Sequence, residues 1–147
     1  VLICNGDVPF VSSCLLKEFI NFSISKKLKF SLIGTKMPEP KGYGRVILDT
    51  KGRLKQIIEE KDATPEVLQT NLCNSGIYLA QVDFLFKLLK NIKNDNIQQE
   101  YYFTDCVRLA VNSSVGVYIS SQWEHLLGIN TPKELMQAEA YFLKKTT

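Results

Sequence analysis

Histidine occurs once in this chain, at His125, and none of the four cysteines (Cys4, Cys14, Cys73 and Cys106) falls in a C-x-x-C pair. A zinc centre, which takes clustered thiolates and imidazoles, does not fit that inventory. All four cysteines have apolar sequence neighbours, which reads as reduced, buried thiols of a cytoplasmic protein. No apolar stretch approaches the ~18 residues of a membrane span, so no membrane partner is expected. The opening VLIC is too short for the apolar region of a signal peptide and has no basic flank. In a cytoplasmic protein the glycosylation-like triplets at Asn21 and Asn112 carry no meaning. Net charge is only +3, too mild to point to a nucleic-acid partner. Lys26, Lys27 and Lys29 read as a solvated helix end.

What is present is an ordinary globular mixture, 45% hydrophobic and 22% charged over 147 residues. A domain of this size buries roughly 68–70% of its unfolded surface. VLIC reads as a central parallel strand. Residues 11–24 carry apolar side chains near helical spacing, with Ser12 and Ser13 as caps. Residues 30–35 read as a strand, and MPEPKGYGR, with two prolines and two glycines, as a loop. Residues 45–48 and 54–59 flank Asp49-Thr-Lys-Gly52 as a β-hairpin. Thr64 and Pro65 start a short helix. A strand over 73–80, helices over 82–92 and 104–111, a strand over 115–120 and a helix over 132–143 complete the chain. That order predicts one α/β domain: a mixed, mostly parallel sheet flanked by helices, with a hairpin insertion.

Six short stretches could carry chemistry. Asp7, in NGDVP, follows the carboxyl end of a strand, where α/β sheets bind ligands. It is either a Mg²⁺ ligand or an Asx-turn residue. Gly42 and Gly44 in GYGR let a substrate reach bare backbone, or merely form a turn. Glu59 and Glu60 end a strand, so alternation puts them on opposite faces, one towards the glycine loop. Asn74 interrupts an apolar strand and must bond either neighbouring backbone or a ligand. In EYYFTDC, Thr104 looks like a helix cap at a phosphate-attracting terminus, with Tyr101 and Tyr102 readable as core aromatics. Asn130, in GIN, offers a neutral oxygen beside a helix start; it is a metal ligand or a turn residue.

The order of these stretches is more specific than any one of them. GDVP, P-x-GYGR, I-x-E-x-KDAT, N-S-GIY, EYYxTD and G-I-N-T together resemble the uridyltransferase domain of bacterial UDP-N-acetylglucosamine pyrophosphorylases, over nearly the whole chain. The resemblance implies a Rossmann-like nucleotidyltransferase fold and transfer from UTP to N-acetylglucosamine 1-phosphate. The products would be pyrophosphate and UDP-N-acetylglucosamine, a precursor for peptidoglycan and the cell envelope. It also implies that Asp7 and Asn130 hold Mg²⁺, and that Gly44, Glu59 and Asn74 grip the sugar. Thr104 and Tyr102 would complete the sugar-phosphate side.

The family's glycine-rich triphosphate loop, L-x-x-G-x-G-T-x-M, and its uracil-reading segment do not occur among these residues. The expectation is therefore a domain incomplete at its N-terminus, without an acetyltransferase β-helix and inactive as it stands. An exposed sheet edge would then be open to association. Two other readings are carried forward: a non-catalytic sugar-nucleotide binding module, and a same-fold transferase for another nucleotide or sugar.

Overall fold

The computed structural model describes residues 1–146. Six strands form a single sheet: β1 (Leu2–Ile3), β2 (Phe30–Lys36), β3 (Arg45–Leu48), β4 (Leu54–Ile58), β5 (Leu72–Ala80) and β6 (Val115–Ser120). The helices are α1 (Ser13–Ser25), α2 (Pro65–Leu68), α3 (Val82–Leu89), α4 (Asp105–Ala110) and α5 (Pro132–Thr146). Strand order is β4-β3-β5-β2-β6, with β1 also paired to β5.

The sheet is mixed, as the sequence predicts, but its directions need one correction. Among the described residues only β2–β6 is a parallel pair; β1–β5, β2–β5, β3–β4 and β3–β5 are antiparallel. β1, β2, β3 and β6 still share one direction, because the reversed β5 lies between β1 and β2 and between β3 and β2. VLIC is thus a two-residue strand held antiparallel on β5, not a strand in a parallel run.

Period-two alternation along β2 and β5 sorts their side chains into two cores. Phe30, Leu32, Leu72, Tyr78 and Ala80 face α3 and α4, packing with Leu85, Leu88, Cys106 and Val107. Ile33, Cys73 and Ile77 face the other way, onto Leu15 and Phe19 of α1 and onto Leu126. The result is a three-layer helix–sheet–helix arrangement. Ser12 caps α1, its Oγ accepting from the Leu15 N–H at 3.2 Å. Thr64 caps α2 in the same way, with Pro65 at the first helical position. In the hairpin turn, the Asp49 carboxylate accepts from the backbone of Lys51 and Arg53, both at 2.9 Å.

The thiols divide. Cys73 and Cys106 are buried, but Cys4 and Cys14 are exposed, against the expectation of four buried thiols. Cys4 lies past the short β1, and Cys14 sits on the outer face of α1, where local apolar neighbours do not decide burial. No helix among the described residues is long and apolar enough to cross a membrane.

Candidate functional site

The edge of β5 explains where the site forms. β3 meets that edge at Cys73, and β1 meets it at Tyr78 and Leu79. Between them no strand pairs with that edge among the described residues. Here Asn74-Ser-Gly bulges: β2 advances from Leu32 to Gly34 while β5 spans Tyr78 back to Asn74. Gly76 takes a φ of +76°, and a Cβ there would meet the Asn5 side chain at 2.3 Å, so only glycine suits the position. The Ser75 hydroxyl secures the bulge by donating to the Ile33 carbonyl at 2.8 Å. An open cleft of about 340 Å³ occupies the gap, lined by Asp7, Gly44, Glu59, Asn74, Tyr102, Thr104 and Asn130 among others. Every site residue expected from the sequence reaches this one cleft.

One wall is built around Glu59. Gly44 lies directly against it: a Cβ on Gly44 would stand 3.1 Å from Glu59 Oε2. The Gly44 carbonyl accepts from the Asn74 N–H at 2.9 Å. Thr104 departs from its expected role. It holds the N-cap position of α4, but its hydroxyl does not cap; it donates to Glu59 Oε1 at 2.7 Å. Glu60 is also corrected. A 3-10 turn over Glu60–Asp62 breaks the strand alternation, and Glu60 reaches the glycine loop as well. Its Oε2 accepts from the Gly42 N–H at 2.5 Å and pairs with the buried Arg45 at 3.3 Å. Arg45 Nη1 donates to the Tyr43 carbonyl.

Asn74 resolves towards internal bonding, with its side chain still at the cleft. Its Nδ2 donates to Tyr78 Oη at 2.6 Å, and its Oδ1 accepts from the Gly76 N–H at 3.2 Å. An amide makes up to four hydrogen bonds, so half of its capacity remains for a ligand. Tyr78 is fixed in turn by Phe103, 4.8 Å away in an edge-on contact, and by Phe30 at 5.8 Å. Phe103 is therefore the core aromatic of EYYFTD, whereas Tyr101 is 72% exposed. Burial pushes the Tyr78 phenol well above its ordinary value, so it stays protonated. Burial and the carboxylates of Asp62, Glu100 and Glu59 likewise raise the Tyr102 phenol.

The other wall holds Asp7 and Asn130. The Asp7 carbonyl accepts from the Ile129 N–H at 2.8 Å, which pins the two turns together. From the Cβ position of Gly128, Asp7 Oδ2 and Asn130 Nδ2 are each 3.6 Å away. Asp7 Oδ1 is buried and has no hydrogen-bond partner among the described residues. A buried carboxylate oxygen is costly to leave unpaired. An orphaned carboxylate oxygen in the same cleft as an asparagine side chain offers the oxygen ligands a hard cation takes, with the rest from water and phosphate.

Comparison with known proteins decides the family. The nucleotidyl transferase family model matches residues 1–140. The chain belongs to the nucleotidyl transferase family. Among its relatives is a protein named bifunctional protein GlmU from Clostridium botulinum (strain Loch Maree / Type A3), 36% identical over 146 residues. The proteins of that name from Thermoanaerobacter pseudethanolicus and Geotalea daltonii are 36% and 38% identical. These matches take in 94–99% of this chain but only 31–32% of each relative, so the chain spans about a third of their length.

Sequence reasoning missed Tyr43 and Glu134, which also line the cleft. Tyr43 Oη accepts from the Gly128 N–H at 3.0 Å. Glu134 Oε2 accepts from the N–H groups of Asn130 and Thr131 at 2.7 and 2.8 Å, while the Glu134 N–H bonds Thr131 Oγ1. The signal for Glu134 was legible: Thr131-x-x-Glu134 is a capping box. Tyr43 stood inside GYGR, where attention went to the glycines.

Proposed function

We propose that these residues form the sugar-phosphate and metal side of a sugar-1-phosphate uridyltransferase. The reaction would join UTP and N-acetylglucosamine 1-phosphate to give UDP-N-acetylglucosamine and pyrophosphate, for cell-envelope precursor synthesis in the cytoplasm. The observation that carries this reading is the unpartnered, buried Asp7 Oδ1, beside Asn130, in the same cleft as Glu59 and Asn74. Four cysteines without a disulfide fit a reducing compartment.

In this mechanism a phosphate oxygen of the sugar phosphate attacks the α-phosphorus of UTP in line. A P–O bond forms, and the bond to pyrophosphate breaks. The nucleophile is ionised at neutral pH, so the residues position it and no general base is required. Glu59, oriented by Thr104, and the bare backbone at Gly44 receive sugar hydroxyls. Asn74, held by Tyr78, offers its remaining amide capacity to the acetamido group. Tyr102 closes the sugar-phosphate side. Asp7 and Asn130 would hold Mg²⁺, which offsets phosphate charge when bound.

In this proposal these 147 residues supply the sugar-phosphate and metal side, and the family's triphosphate loop is not among them. These residues alone would then bind the sugar phosphate without turnover, and their open edge would favour association. The test is pyrophosphate release with Mg²⁺, UTP and N-acetylglucosamine 1-phosphate. It compares these 147 residues with a version extended by the upstream coding sequence. Turnover by the extended protein alone, abolished by Asp7→Ala with sugar-phosphate binding retained, supports the proposal. If neither protein turns over yet both bind the sugar phosphate, a binding module is the better account. Preference for another sugar phosphate or nucleotide in competition would move the assignment to a different transferase of the same fold.

A further inference from the structure

The two walls of the cleft are joined through one turn, Gly128–Thr131. Asn130 sits on it, and Asp7 is tied to it through the Ile129 N–H. Two side chains hold its backbone. Tyr43, which belongs to the glycine-loop wall, accepts the Gly128 N–H at 3.0 Å. Glu134, from the first turn of α5, accepts the Asn130 and Thr131 N–H groups at 2.7 and 2.8 Å. Tyr43 is itself rigid: Arg45, which is 2% exposed, donates to its carbonyl, and its ring packs against the core that holds Phe19, Ile33 and Cys73. From the Cβ position of Gly128, Tyr43 Oη is 3.7 Å away, close to the 3.6 Å of Asp7 Oδ2 and of Asn130 Nδ2.

We infer that Tyr43 and Glu134 are positioning residues for a divalent cation: they fix the Gly128–Thr131 turn so that Asn130 faces Asp7, and Tyr43 links that turn to the sugar-side loop. The inference rests on the reading of Asp7 and Asn130 as cation ligands. Neither positioning residue needs to touch the cation. Removing the Tyr43 hydroxyl leaves the half-buried Gly128 N–H without its acceptor, and the turn must shift to find another. Partners that orient metal ligands in this way typically change metal affinity by ten- to a hundredfold when lost.

The experiment titrates Mn²⁺ alone against the protein by electron paramagnetic resonance, and N-acetylglucosamine 1-phosphate separately by calorimetry. Tyr43→Phe is the main variant because it changes no charge; Glu134→Gln is the second, acting at the other end of the turn. The expected result is a Kd for Mn²⁺ raised about tenfold in Tyr43→Phe, a larger change than in the sugar-phosphate Kd, with the parent's Tm. A Mn²⁺ Kd equal to the parent's in Tyr43→Phe overturns the role of Tyr43 and leaves the uridyltransferase reading standing. Equal weakening of Mn²⁺ and sugar phosphate, with a lowered Tm, overturns it too, since that is general loosening. A parent protein that binds Mn²⁺ but no sugar phosphate removes the substrate assignment, while the Mn²⁺ comparison still decides Tyr43. A parent that binds no Mn²⁺ overturns the inference together with the roles given to Asp7 and Asn130.

Discussion

Thr104 stands at the start of α4, yet its hydroxyl leaves the helix for Glu59. The choice follows from competition between acceptors and donors. A helix terminus can turn its N–H groups to water, but a half-buried carboxylate beside a glycine has few other donors. Thr104→Val keeps the shape and removes the donor. We expect N-acetylglucosamine 1-phosphate binding to weaken by about 1.5 kcal/mol, roughly tenfold in Kd, without loss of fold. Calorimetric titration checks this, and unchanged affinity would show that Glu59 needs no orienting partner. Asn74 follows the same logic. Its two bonds to Tyr78 and Gly76 spend half of its capacity on fixing its direction.

Among the elements, β5 does most to create the site. A regular strand there would pair continuously along its edge and leave no cleft. The Asn74-Ser-Gly bulge parts that edge between β3 and β1, and polar groups gather where pairing stops. The helices on either face supply support. α1 depends on its cap, and Ser12→Ala should cost about 1 kcal/mol of stability. Chemical denaturation measures this as a lower midpoint with an unchanged slope. Since neither Leu15 nor Phe19 of α1 lines the cleft, ligand affinity in that variant should match the parent.

For the molecule as a whole, the two cores set which thiols can react. Cys73 and Cys106 are enclosed, and burial pushes Cys106 up from an ordinary 9.0 to about 12. Its thiol binds its proton more tightly folded than unfolded. The stability this confers is full below about pH 9 and is lost as pH rises towards 12. A disulfide-exchange reagent at neutral pH should therefore titrate Cys4 and Cys14 in the native protein, and all four thiols in denaturant. Four fast thiols in the native state would contradict the enclosed core. Raising the pH above about 9 should also lower the Tm.

The sequence by itself determined the elements and the family. Apolar periodicity, caps at Ser12 and Thr64, and the turn at Asp49–Gly52 are local physics, which neighbouring residues settle among themselves. The ordered motifs named Asp7, Gly44, Glu59, Asn74, Tyr102, Thr104 and Asn130, and all seven line one cleft. Only the tertiary structure decided strand direction at β1, exposure of Cys4 and Cys14, the turning of Glu60 onto Arg45, and the diversion of Thr104. Each of these depends on a partner distant in sequence. Tyr43 reaches Gly128 across 85 positions, and Thr104 reaches Glu59 across 45. Local propensity cannot weigh a bond whose second atom arrives only when the sheet closes.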